Sequence, residues 1–213
     1  MWRASPGLLL PALLLLQLAF QGISGKPALH DLTAKEAKEL LCSKRLTAVE
    51  YNTALLERVN GVACLNTFAS LDTEKVLKEA AEVDAKAARG ESTQPLCGLG
   101  FVLKDNVDYT EYPTQAGTPA LKGNIPLRNN PMVTRLREAH GVVLGKTRMH
   151  ELAYGITTIN PDNGTVLNPY NNLMHSGGSS GGTAAIIAAR GVSAGFCSDT
   201  GGSCRIPASM TGT

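Results

Sequence analysis

The sequence predicts an α/β protein built on a largely parallel, mixed central sheet flanked by helices. Three observations predict it. Gly100-Phe101-Val102-Leu103 and Val142-Val143-Leu144-Gly145 are short apolar runs of the kind buried in a sheet core, and Val192 to Cys197 reads as a third. Helical stretches alternate with these runs. The first run ends abruptly at Lys104-Asp105-Asn106, as where a buried strand delivers polar residues to its carboxyl end, the edge at which such sheets bind ligands; Asp199 follows the third run in the same way.

Residues 1–25 stand apart from that pattern. Arg3 supplies a positive start, Leu8 to Phe20 is an almost unbroken apolar run, and Gly22-Ile23-Ser24-Gly25 offers small residues for cleavage, so the segment reads as a secretory signal peptide. The run is shorter than the roughly 20 residues that span a bilayer as a helix, which ranks an uncleaved anchor second. The expected location is the secretory lumen or the exterior, with membrane contact only where the segment is retained. Residues 26–213 then read as the N-terminal part of one domain.

Three helices open the mature chain. One starts at Asp31 and carries apolar residues at helical spacing to Leu41; a second opens on the Thr47/Glu50 capping-box pair and runs to Val59; a third spans Asp72 to Arg89, with Gly90 as its stop. Further on, Pro131 to His140 reads as a helix stopped by Gly141, and Thr183 to Arg190 as another.

With 18% charged residues and a formal net charge of +2, the chain has no clustered basic excess of the kind that nucleic acid or anionic membranes require. A secretory route makes Cys42, Cys64, Cys97, Cys197 and Cys204 disulfide candidates, and an odd count leaves at least one over. Buried thiols are an equally good reading. No C-x-x-C occurs, so no zinc site is expected. Asn163-Gly164-Thr165 is the one N-x-[ST] sequon, which makes Asn163 a glycosylation candidate. Nothing in the sequence speaks to oligomeric state.

The chemistry gathers between Ser176 and Pro207, where glycines and serines cluster. A phosphate cradle would need G-x-x-x-x-G-K-[ST], and no lysine follows Gly182. A nucleophile elbow fits Gly178-Ser179-Ser180-Gly181-Gly182 by letter, with Ser180 as nucleophile. That motif needs a hydrophobic strand just before it, whereas Asn168 to His175 reads as loop. The remaining reading joins two serine loops, separated by one helix and one strand, in a single site at one sheet edge.

Read this way, G-G-S-S-G-G at Gly177 to Gly182, D-T-G-G-S-x-R-I-P-A at Asp199 to Ala208 and K-D-N at Lys104 to Asn106 resemble the amidase-signature family. The likeness runs from Pro95 to Thr213 and takes in Leu144-Gly145-Lys146-Thr147 and Met149-His150-Glu151-Leu152. It implies Ser203 as nucleophile, Lys104 as base, and Ser179, held by a cis peptide bond, as the bridge between them. The family's spacing before the nucleophile picks Ser179 over Ser180. Backbone N–H groups of Thr200, Gly201, Gly202 and Ser203 are implied as the oxyanion hole, while Ser180, Asp199 and Arg205 brace the loops. None of the four histidines has an implied role, and no cofactor or metal is needed; His150 is expected to pack near the site.

The physics sets conditions on that assignment. A lysine serves as base only when neutral, so burial must lower its pKa from about 10.4. Asp105, next in sequence, must therefore point away from it. Ser176 stands where the family commonly has proline, and is expected to loosen the loop. The family's domain is also longer, so later strands and much of the acyl pocket are expected beyond Thr213.

The implied reaction is hydrolysis of a small-molecule carboxamide. Thr114 to Ala120 and Met149 to Thr157 look most similar to the mandelamide and indoleacetamide hydrolases. Lipid-amide hydrolysis, a catalytically silent truncated product and an amidotransferase component that amidates charged tRNA are the alternatives, the last opposed by the signal peptide.

Overall fold

The computed structural model describes residues 28–213; the signal-peptide reading lies outside them. Helices α1 (Ala34–Cys42) and α2 (Ala48–Gly61) both open on capping boxes, Thr33 with Glu36 and Thr47 with Glu50. In each, the carboxylate accepts the cap N–H at 2.9 Å. The first box moves the start of α1 away from the expected Asp31, which instead ends a single 3-10 turn at Leu29–Asp31. Helix α3 (Thr73–Ala88) is capped by Asp72, and Gly90 follows its end in a left-handed conformation, as expected.

Four strands form the central sheet: β1 (Phe68–Leu71), β2 (Gly100–Lys104), β3 (Val142–Thr147) and β4 (Gly195–Phe196). Their order is β1-β3-β2-β4, with β1 antiparallel to β3 and the other pairs parallel. Every residue of β2 and β3 is buried, which is why both read as continuous apolar runs. The third expected strand shrinks to two residues, since only Gly195 and Phe196 reach the β2 ladder.

Helices α2 and α3 pack on each other and against this sheet. Gly100 lets α2 come close: a Cβ there would lie 2.6 Å from Asn52 Oδ1 and 2.8 Å from Leu55 Cδ1. On the α3 side, buried Glu79 accepts the Val143 N–H, the Tyr109 hydroxyl at 2.7 Å and the Arg137 guanidinium. Burial pushes the Glu79 carboxyl up, and Arg137 opposes the shift.

Helices α4 (Pro131–Glu138) and α5 (Gly181–Ala188) end earlier than expected and by the same device. His140 and Arg190 take the left-handed position, and the following glycine N–H returns to Leu136 O or Ile186 O. Gly141 is thus one residue past the stop. A Cβ on it would meet Leu136 at 2.6 Å.

Two hairpins lie outside the central sheet, Ile159–Asn160 with Gly164–Thr165 and Leu167–Asn168 with Asn171–His175. The latter corrects the loop reading of the segment before Ser176. It is nevertheless a largely exposed hairpin arm rather than the buried sheet strand that an elbow requires. Cys42–Cys97 and Cys197–Cys204 are disulfides and Cys64 is free but exposed, so none of the five cysteines is a buried thiol. Among the described residues no helix is long and apolar enough to cross a membrane.

Candidate active site

Strand β2 carries Lys104 to the carboxyl edge of the sheet, where its side chain is fully buried. Its Nζ lies 2.7 Å from Ser179 Oγ, 2.9 Å from Ser198 Oγ and 3.3 Å from Ser198 O. Burial brings the Lys104 amine down to about 8, with Asp199 as the opposing charge. Asp105 does point away, as required. It pairs with buried Lys146 at 3.7 Å and accepts the N–H groups of Gln115 and Gly117.

The peptide bond between Gly178 and Ser179 is cis, as the resemblance implied. The Ser179 hydroxyl accepts from Lys104, while the Ser180 hydroxyl donates to Ser198 O at 3.4 Å. His150 donates its N–H to Ser179 O at 2.9 Å, which places it beside the site as expected. Ser176 does not slacken the loop. It is buried and donates its N–H to Val166 O at 3.0 Å, a bond that proline could not make.

The second serine loop is tied to the first through the backbone, Ser180 N–H donating to Ser203 O at 3.0 Å. Among the described residues no hydrogen bond joins the Ser203 and Ser179 hydroxyls; Ser203 is half-buried at the start of α6 (Arg205–Thr211). Asp199 organises this loop. Its carboxylate takes Arg205 in a two-pronged pair, Nε at 3.0 Å and a terminal nitrogen at 2.9 Å, and accepts the N–H groups of Gly202, Cys204 and Arg205. These bonds hold its carboxyl well below the usual carboxylate range.

Of the expected oxyanion donors, the Gly202 N–H donates to Asp199 at 2.6 Å. Among the described residues the N–H groups of Thr200, Gly201 and Ser203 have no protein acceptor, and Thr200 and Gly201 are exposed. Ser198 is the residue that sequence reasoning missed. Its hydroxyl meets Lys104 Nζ and accepts from Asn106 Nδ2 at 2.9 Å. A serine just before Asp199 at a strand end, opposite K-D-N, was the available signal. Asn163 lies exposed in the turn of the first hairpin.

Known proteins share this layout. The chain is 40% identical over 183 residues to a glutamyl-tRNA(Gln) amidotransferase subunit of Streptomyces coelicolor, covering 85% of this chain and 37% of the relative. The structure of a peptide amidase from Stenotrophomonas maltophilia matches with a TM-score of 0.79 at 32% identity, over 84% of this chain and 38% of that one. A bacterial aryl acylamidase of the amidase-signature enzymes matches with a TM-score of 0.81 at 28% identity, over 86% and 38%. The chain therefore spans less than two fifths of the length of these relatives. The sequence model of the family described as Amidase matches residues 50–213, and the chain belongs to that family.

Proposed function

We propose that the protein hydrolyses carboxamide C–N bonds through an acyl-enzyme on Ser203. The observation that carries this reading is the buried contact between Lys104 Nζ and Ser179 Oγ at 2.7 Å. As an ammonium, Lys104 can donate to all three of its oxygen partners. Once neutral it keeps two N–H donors for Ser198 and turns its lone pair to Ser179, whose hydroxyl becomes the donor. Ser179 in turn takes the proton of Ser203, so that Ser203 Oγ attacks the amide carbonyl. The C–N bond breaks as the proton returns through Ser179 to the leaving nitrogen. Water then repeats the relay, releasing a carboxylic acid and restoring Ser203. The free N–H groups of Thr200, Gly201 and Ser203 are the donors available to the developing oxyanion.

A small aryl amide is the substrate class we favour, supported by the Thr114 to Ala120 and Met149 to Thr157 segments and by the aryl acylamidase match. The amidotransferase relatives favour a second reading, an amidotransferase subunit that amidates charged tRNA. The two disulfides suit an oxidising compartment and so support the secretory reading. The exposed turn position of Asn163 suits glycosylation there.

Labelling the protein with a fluorophosphonate probe tests the assignment. Labelling is expected to vanish in Ser203→Ala and to persist in Ser180→Ala; absence of labelling in the unmodified protein would overturn it. Release of acid from an aryl amide without any partner protein separates the first reading from the second.

A further inference from the structure

A cavity of about 350 Å³ opens beside the ends of β2 and β3, lined by Asp105, Gln115, Thr118, Arg148 and Met149 among others. It is separate from the Lys104 cluster. Thr147 pairs with Lys104 in the parallel register, so the residues that follow each, Arg148 and Asp105, face the other side of the sheet edge. Arg148 is only partly buried, yet its Nε is buried without a hydrogen-bond partner. Among the described residues its guanidinium makes no hydrogen bond or ion pair at all. The one carboxylate beneath it, Asp105, is already engaged by Lys146 and by two backbone N–H groups. Two cations thus share one buried anion, and the outer cation is left facing the cavity.

We infer that this cavity binds a small organic ligand through its carboxylate, with Arg148 as the counter-charge. A guanidinium presents a planar fork of donors that matches a carboxylate, and a partly desolvated one gains most from such a partner. Two further donors face the same space. Gln115 uses its Oε1 to accept from Gly123, leaving its NH₂ group available, and the Thr118 hydroxyl accepts from Ala120, leaving its proton available. Met149 and Pro119 supply an apolar wall for the ligand's carbon skeleton. Exposed Lys122 and exposed Asp162 line the cavity as an opposed pair, and buried Asp105 adds a negative charge beneath Arg148, so a monoanionic carboxylate is favoured over a doubly charged phosphate. The site stands whether or not Ser203 acts as proposed.

The test needs no turnover. The protein carrying ¹⁵N-labelled arginine is titrated with propionate, with inorganic phosphate and with chloride at matched ionic strength, and the Nε–H signal of Arg148 is followed by NMR. Its assignment comes from its loss in Arg148→Lys. Propionate is expected to move the signal saturably, and phosphate to bind more weakly. Calorimetry on Arg148→Met should show propionate binding weakened roughly tenfold or more, as for loss of a charge-assisted hydrogen bond. A signal that does not move, that moves equally with chloride, or that responds more tightly to phosphate overturns the inference. The titration of the unmodified protein decides the matter even if Arg148→Met fails to fold.

Discussion

Lys104 Nζ stands 2.7 Å from Ser179 Oγ with both side chains fully buried, and the amine is brought down to about 8. Below that pH the lysine is an ammonium with no lone pair for a proton. The acylation rate should therefore climb about tenfold per pH unit on the acid side and level off above about 8. A profile of kcat/KM against pH checks this, and an acid limb centred near the ordinary histidine range would contradict it. The linked effect on folding has a fixed sign. The unfolded chain binds this proton more tightly, so stability should rise as pH climbs from about 8 towards 10.5.

Replacing Ser179 by alanine removes the bridge and leaves Lys104 in place. The expected loss in kcat is ~10²–10⁴-fold, the range for a positioned proton-transfer group, with KM little changed. Steady-state kinetics on an aryl amide read both quantities.

Arg205→Lys separates geometry from stability. The Arg205 side chain is 77% exposed, so melting should shift little, because solvent screens a surface ion pair. A lysine cannot reproduce the two-pronged hold on Asp199, whose carboxylate gathers the loop around Ser203. A slackened loop should lower kcat, by up to ~10²-fold for a displacement of about 1 Å. Unchanged kcat would show that the pair is only decorative.

Two glycines, one from each serine loop, should behave in opposite ways. A Cβ on Gly182 would lie 2.5 Å from Thr67 O and 2.6 Å from Arg148 O, both backbone atoms, whereas one on Gly201 meets nothing within 4 Å. Gly182→Ala should destabilise by about 1–3 kcal/mol, as forced overpacking does, and Gly201→Ala should leave stability nearly unchanged. Urea denaturation of the two variants measures the contrast.

Thiol titration of the native protein should find one reactive group, Cys64, and alkylation at Cys64 should abolish the signal. Breaking Cys42–Cys97, which joins residues 55 apart, should cost about 2–4 kcal/mol of stability, whereas Cys64→Ser should cost little.

Much of this was legible in the sequence, for reasons that can be located. The buried strands β2 and β3 announced themselves because both faces are covered, and Lys104 because it breaks an apolar run. The Ser179 and Ser203 loops carried a pattern of several letters at fixed spacing. Strand β1 was missed because it is an antiparallel edge strand of four residues, only half-buried and without alternation. Helix ends at His140 and Arg190 were missed because a bulky residue took the left-handed position where glycine was expected. The engagement of the Gly202 N–H by Asp199 depends on a carboxylate's direction, which no spacing encodes. Arg148 likewise looked like an ordinary charge, since its isolation is a property of its neighbours' hydrogen bonds.

The Cys197–Cys204 bond closes a small covalent ring around Ser198, Asp199, Thr200, Gly201, Gly202 and Ser203. The choice of expression host thereby becomes part of the enzymology. Material made in a reducing cytosol would carry the same helices and sheet around an open ring, and its activity would report on the host as much as on the protein. Oxidative folding in a periplasm or secretory system, checked by intact mass before and after alkylation, is the preparation from which rates at Ser203 can be compared.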